Sequence, residues 1–195
     1  MPDELLEDHQ RERVLEAASG VFATRGYHAT TVDDLVAAAK IGVGNFYKLF
    51  DGKEGCFLEA YDRILARGRG RVVEAIASQE DWAAQVRAGL LAALKQVLQD
   101  PQGVRLVLAE APAAGPAAVE RHRLLVEELA AAFAPGREHC AHASELPKHL
   151  EDAMAAGLLW FLRVKSVEGK LAATAKSVEE AASIVLNPYL GTGAS

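Results

Sequence analysis

The chain has 195 residues, a formal net charge of −6 at pH 7, half of its residues hydrophobic and only 6% aromatic. That hydrophobic share is ample for a packed core and excludes a disordered chain, while the acidic balance excludes a protein that holds nucleic acid by bulk charge alone. Abundant alanine with few β-branched runs points to helices packed through small side chains, with no sheet.

The opening MPDELLEDHQ is acidic and lacks the apolar centre of a signal peptide. The longest uncharged helix-like stretch, Ala153 to Leu162, is far short of the roughly 20 residues that cross a membrane. Two cysteines far apart, Cys56 and Cys140, fit a reducing compartment. A cytoplasmic protein is expected.

The first helix is expected from about Asp8 to Arg25, with Val14, Ala17, Ala18, Val21 and Phe22 as its buried stripe. Gly26 is its left-handed stop, and Tyr27 plugs the core behind it. Thr30 and Thr31 then precede Val32-Asp33-Asp34, so a threonine hydroxyl accepts from the free amides of a new helix whose first turn is acidic. Its apolar positions Val32, Leu35, Val36 and Ala39 recur at helical spacing until the pattern breaks at Lys40-Ile41-Gly42.

A third helix starts there. At 100° per residue Phe46, Leu49 and Phe50 share one arc, Gly44, Asn45, Tyr47 and Lys48 take the opposite arc, and Val43 lies at the boundary. A free face carrying an amide, a cation, a phenol and a bare glycine suits a helix lying in the major groove. Asp51-Gly52-Lys53-Glu54 has the spacing of a capping box and sets Lys53 in the first turn of the next helix, beside the phosphates if the third helix is in the groove. The geometry is that of a helix-turn-helix.

From residue 10 to 61 these positions resemble the tetracycline-repressor (TetR) family of bacterial transcription regulators. The residues that carry the likeness are Val14-Leu15-Ala17-Ala18, Phe22, Gly26-Tyr27, Thr30-Thr31-Val32, Leu35, Ala39, Gly44, Phe46-Tyr47, Phe50 and Lys53-Glu54. By that resemblance Thr31, Tyr47 and Lys53, with Thr30 beside them, hold phosphates. Val43, Gly44, Asn45 and Lys48 approach base edges or the neighbouring backbone. Three positions depart from the family pattern: Val36 where a small alanine is usual, Lys40 at the turn glycine, and Gly42 in place of the serine that caps the recognition helix. Losing that cap to glycine costs a few tenths of a kcal/mol and a left-handed non-glycine residue about 1 kcal/mol.

Charge alone argues against DNA even here, since between Thr30 and Glu54 three lysines face four carboxylates. Position argues for it, because Lys48 and Lys53 fall on the outward face, and Arg11 and Arg13 open the first helix. Modest, salt-dependent affinity is expected.

Beyond the head, a fourth helix begins at Asp51 and carries Phe57, Leu58, Tyr61, Ile64 and Leu65, followed by the solvated run Arg67, Arg69 and Arg71. Asp81 caps a helix with the stripe Trp82, Val86, Leu90, Ala93, Leu94 and Val97. Asp100-Pro101 starts another through Val104, Val107, Leu108 and Ala111, in which Arg105 and Glu110 are charged exceptions and Pro112 is the end. Gly115-Pro116 opens the next, through Leu124, Leu125, Leu129 and Phe133 to Pro135-Gly136. Short connections of this kind make a helical bundle.

A helix expected from about Glu145 to Val167 is apolar on two faces, Met154, Leu158 and Phe161 on one, Ala153, Ala156, Trp160 and Val164 on the other. A monomer has no use for both, so the second should meet a partner. The final helix, about Ser177 to Leu190, joins it through Ala181, Ile184 and Val185, giving the intersubunit four-helix bundle that the resemblance also implies. A loose tail is expected from Gly191 to Ser195.

His139, Cys140, His142, Glu145 and His149 offer metal donors, but their spacing matches no zinc template and no metal is expected. Cys56 reads as a buried structural thiol. No nucleophile motif, glycine-rich phosphate loop or H-E-x-x-H is present, so neither catalytic residues nor a cofactor are expected.

The resemblance further implies an effector cavity inside the bundle. Tyr61, Leu65, Val86, Leu90, Leu108, Met154 and Phe161 are its candidate lining, with Arg105 or His122 as the orienting polar group, and plain core packing is the alternative for each. The weakly polar interior suits a hydrophobic or amphipathic small molecule. The expectation is an all-α, homodimeric, ligand-released repressor, with a helix-turn-helix DNA-binding domain at 1–50 and a helical effector-binding and dimerisation domain at 51–195, reading a pseudo-palindromic operator. Two alternatives stay open: a constitutive DNA binder without an effector, and a helical small-molecule or protein-binding module that has lost DNA affinity.

Overall fold

The computed structural model describes residues 3–169 and 172–191, so the part of the expected tail beyond Gly191 lies outside the described residues. Among the described residues there is no strand. Nine α-helices follow in order: α1 Asp3–Arg25, α2 Val32–Ala39, α3 Val43–Leu49, α4 Gly52–Ala77, α5 Trp82–Gln99, α6 Pro101–Arg105, α7 Pro116–Phe133, α8 Leu150–Val167 and α9 Ala175–Leu190. The chain divides into two compact units, one of residues up to Ala66 with Pro101–His122, the other of Arg67–Asp100 with the chain from Arg123 onward.

In the first unit the core is aromatic. Phe22, Phe46, Phe57 and Tyr61 are fully buried, and Phe57 meets the rings of Phe22 and Tyr27 edge-on, each at 5.2 Å. Helix α1 starts five residues before the expected Asp8, because nothing in that stretch breaks a helix. Its buried side also includes Leu15 and Ala23, while Ala17 and Val21 are half-exposed.

The single helix expected from Pro101 to Pro112 is three pieces: α6, a π-helical turn over Leu106–Glu110, and a 3-10 turn over Ala111–Ala113. Pro112 has no amide to give the carbonyl four residues back, so the α-helical ladder cannot run through it. Leu106, Val107 and Leu108 are buried in this stretch.

In the second unit α5 opens at Asp81, whose carboxylate accepts from the Ala84 amide at 2.9 Å, and buries Trp82, Val86, Leu90, Leu94 and Val97. Gly89 lets α5 approach α4: a Cβ there would stand 3.2 Å from Ile76. The Arg67–Arg71 run is tied down, Arg69 to Glu128, Arg71 to Gln96 and Gln99, and Arg67 to Asp100 at 3.5 Å.

Helix α8 begins at Leu150, not Glu145, since Pro147 interrupts the run and the connection before it is made of 3-10 turns over Ala134–His139 and Ala143–Glu145. A buried carboxylate, Glu151, pins that connection. Arg137 donates to both its oxygens, at 2.7 and 3.0 Å, and the Tyr189 hydroxyl donates to it at 2.7 Å. The guanidinium hydrogen bond foremost, with the tyrosine, holds the Glu151 carboxyl below its ordinary value against the opposing effect of burial.

Candidate nucleic-acid interface

The interface is built on two tight connections. Between α1 and α2, Gly26 adopts φ +79 and the chain turns back over Tyr27. The Thr30 hydroxyl donates to Gly26 O at 2.7 Å, and the Lys53 ammonium donates to Tyr27 O and Thr30 O, both at 2.9 Å, while lying 4.3 Å from the centre of the Tyr27 ring. Glu110 completes the clamp, accepting from the Tyr27 amide at 2.9 Å.

Thr31 then caps α2. Its hydroxyl accepts from the Asp34 amide at 3.2 Å, and the Asp34 carboxylate accepts from the Thr31 amide at 2.9 Å, a complete capping box. The Asp34 carboxyl is held below its usual range by the Thr31 amide first, then by the Thr31 hydroxyl, and also by Arg25, with which it forms an ion pair.

Between α2 and α3, Lys40 occupies the left-handed region at φ 55, ψ 47 and gives its amide to Ala37 O and Val36 O. Arg13 reaches over from α1 and donates to Ala39 O at 2.5 Å and to Lys40 O at 3.1 Å, placing a cation at the negative end of α2. Gly42 then caps α3 without a side-chain hydrogen bond.

Helix α3 is held from one side only. Phe46 and Leu49 are buried, with Phe50 buried just past its end. Val43, Gly44, Tyr47 and Lys48 are exposed, Tyr47 at 60% of its surface, and Asn45 is half-buried. A Cβ on Gly44 would meet nothing within 4 Å, so no neighbour in this chain requires a glycine there. Asn45 and Lys48 border a cleft with Leu6, Glu7 and Gln10 of α1.

The other expected contacts are distributed differently. Thr31 is exposed, whereas Thr30 is only 1% exposed and stands behind it. Lys53 is half-buried, and Arg11 pairs with Glu59 at 2.6 Å and lies over the Phe50 ring. Arg13, expected on the DNA side of the first helix, is bonded to the carbonyls of the α2–α3 turn, and Glu110 is a part of this head that the sequence reading did not include. The one hint for Glu110 was a carboxylate on an otherwise apolar helical face.

Of the expected cavity residues in the first unit, Tyr61 is fully buried, its hydroxyl finds no hydrogen-bond partner among the described residues, and burial raises its pKa. Leu108 is buried, Leu65 and His122 are half-buried, and Arg105 is exposed at the end of α6, facing away from any interior. In the second unit Val86, Leu90 and Met154 are buried and Phe161 is half-buried.

The expected partner face divides in the same way. Ala153, Ala156 and Trp160 are exposed along α8, Trp160 at 61%, and Val164 is half-exposed. Ala181 and Val185 are instead wholly buried in the core of their own unit, because α9 packs through Val178, Ala181, Ala182, Val185 and Tyr189. Ile184, half-buried, is the member of that trio turned away from the core.

His139 stacks on Trp82 at 5.4 Å, His149 contacts Asp152 at 3.1 Å and His142 lies 3.8 Å from Glu145. No group of three metal-binding side chains occurs among the described residues. Cys56 is buried, and burial foremost, with the Glu59 charge, pushes its thiol up to about 12, far from a reactive thiolate.

This head also matches known proteins. Residues 14–60 fit the family model for bacterial regulatory proteins of the tetR family. The match covers the head alone. The HTH-type transcriptional activator FasR of Mycolicibacterium smegmatis is 31% identical over 100 residues, 51% of this chain and 46% of FasR. The HTH-type transcriptional repressor KstR2 of Rhodococcus jostii is 38% identical over 79 residues, 40% of this chain and 39% of that protein. The chain thus spans less than half the length of either relative. The fold extends further: the fatty acid degradation regulator FadR of Bacillus halodurans superposes with a TM-score of 0.77 at 20% identity, over 91% of this chain and 94% of FadR.

The three departures from the TetR pattern are each accommodated. Val36 is buried between α2 and its neighbours, Lys40 accepts the left-handed conformation with Arg13 on the adjacent carbonyls, and Gly42 leaves the first turn of α3 without a side-chain cap.

Proposed function

We propose that the chain is a DNA-binding transcriptional regulator that acts as a homodimer on a pseudo-palindromic operator. The observation that carries this reading is the divided surface of α3, with Phe46 and Leu49 sealed into the head and Val43, Gly44, Tyr47 and Lys48 open on the other side. Tyr47, Lys48 and Thr31 supply phosphate or base-edge donors, Asn45 an amide for a base edge, and Gly44 room for close backbone approach. Lys53 acts from one layer behind, fixing the loop that carries Thr31.

Residues 1–50 then carry the DNA-reading function and 51–195 the effector-binding and dimerisation functions. The row of exposed Ala153, Ala156 and Trp160 with half-exposed Val164 forms the partner face, small residues allowing close helix approach around one large anchor. The effector is a hydrophobic or amphipathic small molecule, for which the buried, unpartnered Tyr61 hydroxyl is a ready polar contact. An effector that binds one conformation 100-fold more tightly contributes about 2.7 kcal/mol of coupling, which weakens DNA binding by up to about 100-fold. Release lifts repression; FasR and KstR2 are named for opposite senses.

The test is a mobility shift with the purified protein on duplexes selected from a random pool, at low and moderate salt, with Tyr47→Ala and Lys48→Ala as controls. A specific shift weakened in both variants is expected. No shift on any selected duplex at low salt would overturn the reading in favour of a binding module without DNA affinity.

A further inference from the structure

Glu110 lies far outside the stretch of sequence that matches the family model, yet it touches the centre of the head. Its carboxylate accepts the Tyr27 amide at 2.9 Å, and the contact is partly buried. Tyr27 is the residue whose carbonyl, with that of Thr30, is taken by Lys53. The five-residue loop from Gly26 to Thr30 is therefore held by a carboxylate on its amide side and an ammonium on its carbonyl side. Thr31, the residue after it, caps α2, so the loop sets where α2 starts and, through the α2–α3 turn, how α3 is presented.

Two features make Glu110 more than an incidental partner. Gly26 sits beside it with φ +79, and a Cβ at that glycine would stand 3.3 Å from the Glu110 carboxylate, so the carboxylate and the turn are fitted closely. Glu110 is also the last residue of the π-turn. A π-turn carries one residue more than an α-turn, which rotates everything after it by roughly 100° about the helix axis. The direction in which Glu110 points is thus set by that turn.

We propose that Glu110 is a positioning residue for DNA recognition: from the π-turn it fixes the Tyr27 amide, and with it the angle at which α2 and α3 meet DNA. This rests on the DNA-binding reading above. Glu110 then serves the head from within the effector-binding region, and any change that withdraws it loosens the loop without touching a DNA-facing side chain.

The experiment compares full-length wild type with Glu110→Gln, Glu110→Asp and Glu110→Ala. Binding is measured by fluorescence anisotropy on a duplex selected with the wild type and on a scrambled duplex of the same composition, alongside thermal unfolding and amide hydrogen exchange at Tyr27. Glu110→Gln keeps an acceptor at the same reach and should bind the selected duplex within about threefold of wild type. Glu110→Asp, one methylene short, and Glu110→Ala should lose tenfold or more on the selected duplex while changing little on the scrambled one, since attraction to phosphates does not need the right angle. Exchange at Tyr27 should quicken in the same two variants. Equal losses on both duplexes in step with a lower melting temperature would mean that Glu110 serves only folding, and wild-type affinity in Glu110→Ala would also overturn the proposal. A wild type that binds no DNA would sink the functional reading instead, and unchanged Tyr27 exchange would then remove the anchor as well.

Discussion

Helices α3 and α8 each bury one side in their own unit and leave the other bare, and the bare sides differ in chemistry. On α3 it carries a lysine, a phenol and a glycine; on α8 it is mainly apolar, Ala153, Ala156, Gly157, Trp160 and Val167, with Asp152 near one end and Arg163 over the Trp160 ring at 5.3 Å. A polar bare face is stable in water and becomes informative only because its residues match what a groove offers. An apolar one of this length, with a tryptophan 61% exposed, costs free energy until something covers it. The proposed function puts DNA on the first and a second copy of the chain on the second.

The largest expected effect comes from breaking the α8 side. Trp160→Glu puts a charge at the centre of the apolar row, so light scattering after gel filtration should show monomers where the wild type shows dimers. Because two heads on one operator bind with shared effective concentration, DNA affinity should fall by about 100-fold or more with every α3 residue intact. A Trp160→Glu protein that stays dimeric would detach the dimer from this face.

The buried side of α8 gives the next effect. Arg137→Ala leaves the Glu151 carboxylate with Tyr189 alone and should lower the urea midpoint of unfolding below that of wild type. The pH dependence has a definite sign. Glu151 has its folded pKa below the ordinary 4.5, so its contribution is complete above that value and is lost as pH falls through the depressed one. Asp34 is depressed too, and its contribution is likewise lost as pH falls through its own lowered pKa. The stability difference between wild type and Glu151→Gln, followed by urea unfolding, isolates Glu151: it should hold from pH 7 to pH 5 and shrink below. A difference that grows on acidification would reverse the assignment.

What was legible in the sequence is local. The wedge of Phe46, Leu49 and Phe50 under α3, the Thr31–Asp34 capping box and the Gly26 stop each arise within one or two turns of chain, and period and cap chemistry reveal them. Contacts across distance were not legible. Glu110 meets Tyr27 from 83 residues away, and Arg137 meets Glu151 across a connection whose last residues, from Glu145, are expected as helix although Pro147 interrupts them. Glu151 did leave a trace, at helical spacing with Met154 and Leu158 on the buried side. Ala181 and Val185 were misplaced for a related reason: a stripe of apolar residues shows that one face of α9 is covered, but not whether its own unit or a partner covers it.

On the α3 side single substitutions have smaller effects. Lys48→Ala should weaken binding about tenfold and lower the dependence of affinity on salt by about one counterion, with the dimer unchanged. If the salt dependence stays the same while affinity falls, Lys48 reads a base and not a phosphate.

The smallest effect sharpens the boundary of the α3 face. Lys40 holds a left-handed backbone that costs a non-glycine residue about 1 kcal/mol, and glycine is the usual residue at such a helix end. Lys40→Gly removes the strain but adds freedom to the unfolded chain, so the gain in stability should be under 1 kcal/mol. Arg13 bonds to the carbonyls of residues 39 and 40, not to the lysine side chain, so the turn keeps its anchor. DNA affinity and its salt dependence should therefore stay within twofold of wild type. A fall in salt dependence by about one would mean that the exposed Lys40 ammonium meets a phosphate, which extends the DNA face from α3 back across the turn and explains why a strained lysine stands there; a loss of stability would contradict the account of the turn itself.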